Sequence, residues 1–114
     1  MTDCIFCKIA AGEIPADIVH QNDDVVVFRD VNPQAPTHLL AIPRQHIATL
    51  NDLEPAHAEL VGKLFLAGRE AARAEGIAED GYRTVINCGE KAGQTVFHLH
   101  LHILGGRGMH WPPG

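Results

Sequence analysis

The chain has 114 residues, 46% hydrophobic and 20% charged, enough for one domain (1–114) whose core needs no disulfide staples. Nine basic residues against fourteen acidic ones give a formal charge of −5, and no Lys/Arg cluster supplies an extended nucleic-acid footprint. No apolar run reaches the length of a membrane span, no charged-then-apolar leader opens the chain, and three cysteines make no disulfide framework, so a cytoplasmic location is expected.

In chain order, "CIFCKIAAGEIP" (4–15) places Ile5, Phe6 and Ile9 at helical spacing before Gly12 and Pro15, which predicts a short helix over about residues 4–11. "DIVHQ" (17–21) and "VVVFRD" (25–30) read as two strands of a hairpin, followed by the loop "VNPQAP" (31–36). "THLLAIP" (37–43) is a third strand ending at a proline. From Pro55 to Glu75, Leu60, Val61, Leu64, Ala71 and Ala72 share one helical face, and Gly76 supplies the stop. "YRTVIN" (82–87) is a fourth strand, "CGEKAGQ" (88–94) a glycine-containing loop, and "HLHLHIL" (98–104) a fifth strand. Hairpin-linked strands interrupted by helices predict an α+β fold with a mainly antiparallel sheet. The tail "GGRGMHWPPG" (105–114) fits no regular element, and its large apolar Trp111 calls for burial in this chain or another.

Within "VFHLHLHIL" (96–104), His98, His100 and His102 alternate with Leu99, Leu101 and Ile103. A period of two puts the apolar residues toward the core and the three imidazoles on the opposite face. Same-face neighbours on a strand lie about 6.5–7 Å apart, which suits a row of groups acting on one ligand. Just upstream stand Gly89, Gly93, Gln94 and Thr95. Glycines allow close backbone approach to an anion, and the Thr95 hydroxyl adds a donor. Together with the histidines they form a plausible phosphate site, where an imidazole could attack phosphorus and form a covalent intermediate. Cys4 and Cys7 in "CIFC" have the spacing of metal ligands; a redox dithiol is the competing reading. Asp30, at a strand end, reads by its type and place as a helix cap or a turn cap. His20 and His57 read as surface residues, and Cys88 as a small, partly buried one.

"HLHLHIL" fits the pattern His-φ-His-φ-His-φ-φ, with φ apolar, and so resembles the signature of the histidine triad (HIT) family. "IFCKIAAGEIPA", "FRDVNPQAPTHLLAIPRQHI", "GYRTVIN", "GQTVFHLHLHILGGR" and "MHWPPG" are similar, in the same order, to segments of its Hint branch. The resemblance implies a HIT-like homodimer with a sheet of about five strands and two helices. It also implies hydrolysis of purine nucleoside 5′-phosphoramidates through a nucleotidyl–histidine intermediate, with AMP, GMP or adenosine phosphoramidates as ligands. His100 would then be the nucleophile, assisted by His38 and His102, with Asn87, Gln94 and Thr95 near the phosphate; the family often has Ser at the last position. Asp30 would take the ribose, while Ile5, Phe6, Ile9, Phe28, Val31 and Leu40 would wall the purine. Trp111 would reach the partner subunit's site and shape the choice of leaving group. In zinc-containing relatives the two cysteines are joined by residues matching His46 and His98, which implies structural Zn2+ on Cys4, Cys7, His46 and His98. Two other functions stay open: a dinucleoside polyphosphate hydrolase or nucleotidyl transferase of a sister branch, and a nucleotide-binding scaffold protein.

Overall fold

The computed structural model describes residues 3–114. A six-residue helix, α1 (Ile5–Ala10), precedes the hairpin strands β1 (Ile18–Gln21) and β2 (Val25–Arg29) and then β3 (Thr37–Pro43). A long helix, α2 (Ala58–Ala74), follows, and β4 (Tyr82–Val85) and β5 (Leu101–Gly105) complete the elements. Every strand pairing is antiparallel, and the five-stranded sheet runs β1-β2-β3-β5-β4. The α+β class, the strand number and the two helices are those expected.

Alternation along the central strands builds two apolar layers. Val25, Val27, Leu39, Ala41, Leu101 and Ile103 face α2 and pack on Leu64, Ala67, Ala71 and Ala72. Val26, Phe28, Leu40 and Ile42 face the other way and pack on Phe6 and Ile9 of α1. With both sheet faces covered, β3 is buried from His38 onward. That explains its run of consecutive apolar residues.

Helix α2 starts later than its sequence pattern suggests. Pro55–His57 forms a 3-10 turn, in which the Glu54 N–H donates to His57 Nδ1 at 3.0 Å, and α-helical geometry begins at Ala58. At the other end Gly76 takes φ +78°, and the Gly76 and Ile77 N–H groups donate to the Arg73 and Ala72 carbonyls at 3.1 Å. This left-handed cap needs a residue without Cβ. Arg29 at the end of β2 then clasps Glu75 with two hydrogen bonds, of 2.7 and 2.8 Å. Short 3-10 turns at Leu50–Asp52 and Glu90–Ala92 lie in stretches that carry no periodic signal.

The fifth strand is displaced from its expected span. It begins at Leu101, so His98 and His100 precede the ladder. Their segment is held by other bonds: Leu99 N–H donates to the Ile47 carbonyl at 2.6 Å, and the His98 ring reaches the Pro43 carbonyl. The alternation survives without the ladder, because Leu99 still joins Leu101 and Ile103 in the core under α2. Among the described residues no helix is long and apolar enough to cross a membrane.

Candidate active site

The α1 side of the sheet carries a cleft whose apolar wall is Ile5, Phe6 and Ile9 from α1, Phe28 and Val31 at the end of β2, and Leu40 of β3. Its polar end consists of Asp30, Thr95, His100 and His102. All six apolar positions expected around the base therefore line one cavity with the central histidine. Val96 lines it too; nothing in its spacing distinguishes it from a core residue.

The hydrogen bonds assign the tautomer of each imidazole in turn. His100 Nδ1 donates to the His98 carbonyl at 2.7 Å, which leaves its lone pair on Nε2. The Phe6 ring stands edge-on to this imidazole, 5.1 Å away at 88°, and edge-on to Phe28 at 5.5 Å. Phe6 thus fixes the attitude of His100 as well as forming the wall. His38 and His102 meet because β3 pairs with β5: Leu40 is opposite His102, and His38 is its diagonal neighbour. The Gln34 backbone N–H donates to His38 Nδ1 at 3.0 Å, so the proton of neutral His38 resides on Nε2. That proton goes to His102 Nδ1 at 2.9 Å, and the proton of His102 must then be on Nε2.

Electrostatics favour the neutral form of the His38 and His102 rings. Burial, with His100 and His38 close by, pushes His102 down to about 4 against an opposing pull from Asp30. Burial lowers His38 as well, again opposed by Asp30. The Asp30 carboxylate approaches His38 Nε2 at 3.4 Å through one oxygen and accepts from the Asn32 N–H at 2.9 Å through the other. It is a turn cap by that second bond, and it also lines the cleft.

Gln94 and Asn87, expected near the phosphate, do not line this cleft. Gln94 is buried; its amide protons go to the Ala48 and Val96 carbonyls at 2.8 and 3.1 Å, and its oxygen accepts from the Gly89 N–H at 2.8 Å. A side chain so committed holds the loop that carries Thr95. Asn87 is half-buried just beyond β4 and is not part of the cleft wall. Trp111, for which burial in this chain or another is expected, is 81% exposed in the single chain, with the Arg83 guanidinium 5.9 Å from its ring centre.

Behind the cleft, Cys4, Cys7, His46 and His98 bring four donor atoms within 4.8 Å of one another. The His98 Nε2–H donates to the Pro43 carbonyl at 2.8 Å, so its Nδ1 lone pair points at the cluster. Zinc bonds of about 2.3 Å to sulfur and about 2.0–2.1 Å to nitrogen give tetrahedral edges of roughly 3.3 Å (N to N) and roughly 3.5 Å (S to N). The cluster has 3.2 Å between the two Nδ1 atoms, 3.3 Å from Cys4 Sγ to His98 and from Cys7 Sγ to His46, and 3.5 Å from Cys7 Sγ to His98. Its donor set, spacing and outer hydrogen bond fit zinc. A second trio, Asp30, His38 and His102, also lies within 4.8 Å. It fits a metal poorly: a lone pair on His38 Nε2 would need the proton on Nδ1, where the Gln34 N–H already donates.

This geometry has close counterparts. Residues 3–110 match the family model described as scavenger mRNA decapping enzyme, C-terminal binding. The chain is 50% identical to the purine nucleoside phosphoramidase of Escherichia coli K12 over 105 residues, covering 92% of this chain and 88% of that one. The chain belongs to the histidine triad family. The crystal structure of a HIT family hydrolase from Legionella pneumophila Philadelphia 1 superposes with a TM-score of 0.96 at 53% identity, covering 98% of this chain and all of that one. A histidine triad protein from Clostridium difficile superposes at 0.93 with 41% identity, covering 96% of each chain.

Proposed function

We propose that this HIT protein is a nucleotide hydrolase that cleaves the P–N bond of purine nucleoside 5′-phosphoramidates, with His100 as the nucleophile. The carrying observation is the bond from His100 Nδ1 to the His98 carbonyl. It orients the ring and leaves an unprotonated Nε2 in a cleft whose other end is apolar. The similarity to a purine nucleoside phosphoramidase supports the choice of substrate.

His100 Nε2 forms a bond to phosphorus as the P–N bond breaks. The amine leaves with the bonding pair and takes up a proton. Water then attacks phosphorus and releases a proton to solvent, replacing the one the amine took up; the P–Nε2 bond breaks, and its electron pair returns to His100 while the nucleoside monophosphate departs. His102, with its proton on Nε2, donates to a phosphoryl oxygen, and His38 holds it in that tautomer. Thr95 gives a second donor, Asp30 accepts the ribose hydroxyls, and the wall from Ile5 to Leu40 takes the base. Cys4, Cys7, His46 and His98 hold Zn2+ as a structural tie between α1 and the segment bearing His100. The protein acts as a homodimer, which supplies the cover that exposed Trp111 lacks in a single chain.

The test is turnover of a fluorogenic adenosine phosphoramidate by the wild type beside His100→Ala, with a trapped nucleotidyl–protein adduct sought by mass spectrometry. An inactive wild type rejects the reading. So does an adduct on any residue other than His100.

A further inference from the structure

The cleft beside His100 continues beyond its own wall. Ile5, Ile9, Phe28, Asp30 and Val31 bound a second cavity on their outer side, which runs on along Ile14–Asp17. The inner cavity measures about 260 Å³ and the outer about 420 Å³, so the larger space lies away from the histidines. Ile14 and Ala16 pack half-buried against the α1 layer and give it an apolar side. Val31 is fully exposed and Ile5 is 46% exposed. Exposed apolar groups that continue a ligand cleft mark surface meant to be covered. The charged pair in the lining, Asp17 and Arg29, is already joined at 3.2 Å.

The step from here rests on the nucleotide reading above. With phosphorus at His100 and ribose at Asp30, the purine lies among Ile5, Ile9, Phe28 and Val31. Its edge opposite the glycosidic bond, which carries the 6-substituent, then faces the outer cavity. Neither cavity offers an unpaired charged side chain at that edge, and an apolar site discriminates weakly between bases that differ in polar groups. What the outer cavity offers is room and apolar area.

We propose that this outer cavity is a subsite for an apolar substituent on the purine 6-position. Nucleotides carrying an alkyl or benzyl group on the exocyclic 6-amine are accepted in preference to the bare purine.

The experiment compares AMP with N6-benzyl-AMP by calorimetry on the full chain, and the matching phosphoramidates by kcat/KM. Burying part of a phenyl ring is expected to tighten binding about fivefold or more. Ile14→Ser removes apolar lining from the outer cavity alone and should cut that advantage below about twofold while AMP binds as before. Ala16→Leu, which fills the same cavity, should do likewise and gives a second handle should Ile14→Ser fold poorly. A benzyl group that brings no advantage or a penalty overturns the subsite, as does an advantage that survives both substitutions. Failure to bind AMP at all strikes the nucleotide reading itself, which separates the two outcomes.

Discussion

His100 Nδ1 donates to the carbonyl oxygen of His98 at 2.7 Å, two residues back on the same segment. The His98 ring in turn donates to Pro43 and turns its other nitrogen to Cys4, Cys7 and His46. One peptide therefore joins the thiol–imidazole cluster to the nucleophile. A displacement of His98 would turn the His100 ring and disturb the nitrogen that must reach phosphorus.

The nucleophile gives the first expected outcome. His100→Ala leaves no side chain to carry the nucleotidyl group, so turnover should fall by several orders of magnitude. His100→Gly opens a space that added imidazole can enter, and partial rescue should follow. Measured kcat near the wild-type value in His100→Ala would assign the attack elsewhere.

The cluster gives the second. Protein purified without chelators should carry one equivalent of zinc by elemental analysis. Cys4→Ser should lower the melting temperature by roughly 5–10 °C, the shift for about 1–2 kcal/mol in a domain this size, with a smaller proportional effect on kcat. Loss of a structural metal acts on folding, whereas loss of a catalytic one would abolish turnover first. Metal-free protein of undiminished stability would reject the site.

Much of this was legible from spacing, and what was not depends on contacts between distant segments. The period of two in 98–103 separates the imidazoles from Leu99, Leu101 and Ile103, as the structure has it. It cannot show that the ladder starts at Leu101, because that limit is set by the pairing of Ala41 with Leu101 and by the Ile47 carbonyl. Nor can it join His38 to His102, which needs β3 beside β5. Gln94 looks like a phosphate donor beside two glycines, yet tertiary packing turns it inward to hold the loop. The exposure of Trp111 is invisible to local pattern, since large apolar residues in a tail are equally compatible with packing on the parent domain.

Acid should destabilise the fold through the buried rings. The folded-state value of His102 is lowered from 6.5 to about 4, so between those values the unfolded chain binds a proton that the folded chain refuses. Stability is then highest above pH 6.5 and falls as the pH drops through this window, by less than the roughly 3 kcal/mol of the full shift because solvent reaches the half-buried ring and screens it. His38, lowered by burial, acts in the same direction. The groups facing His102 are His100, His38 and Asp30, and Asp30 opposes the effect without reversing it. Urea unfolding at pH 7.5 and pH 5 should show the loss, and His102→Asn should flatten it. Identical pH slopes for the two proteins would mean that His102 is not held neutral.

Gly105 tests the packing of β5 under the loop after α2. A Cβ built there would lie 2.7 Å from Ile77 Cδ1 and 3.0 Å from its Cβ. The flexible end of Ile77 could swing aside, but its Cβ is fixed to the backbone. Gly105→Ala should therefore cost about 1–3 kcal/mol, read as a lower denaturation midpoint with an unchanged slope. A neutral effect would show that the loop shifts freely.

The tail joins assembly to specificity. Trp111 is 81% exposed and touches its own chain through Arg83, whose guanidinium also donates to the His110 carbonyl at 3.0 Å. So little contact contributes little to folding, and deleting residues 109–114 should leave the melting temperature of a dilute sample almost unchanged. A large aromatic left in water is, however, the type of group enriched at interfaces. If a second copy covers it beside the phosphate end of the cleft, the deletion weakens the dimer in sedimentation experiments. It also changes the ranking of phosphoramidates with small and bulky amine leaving groups, because the amine departs on that side. The two readouts divide the possibilities: a weaker dimer with an unchanged ranking would leave Trp111 as an interface residue alone. An unchanged dimer and an unchanged ranking would remove it from both roles.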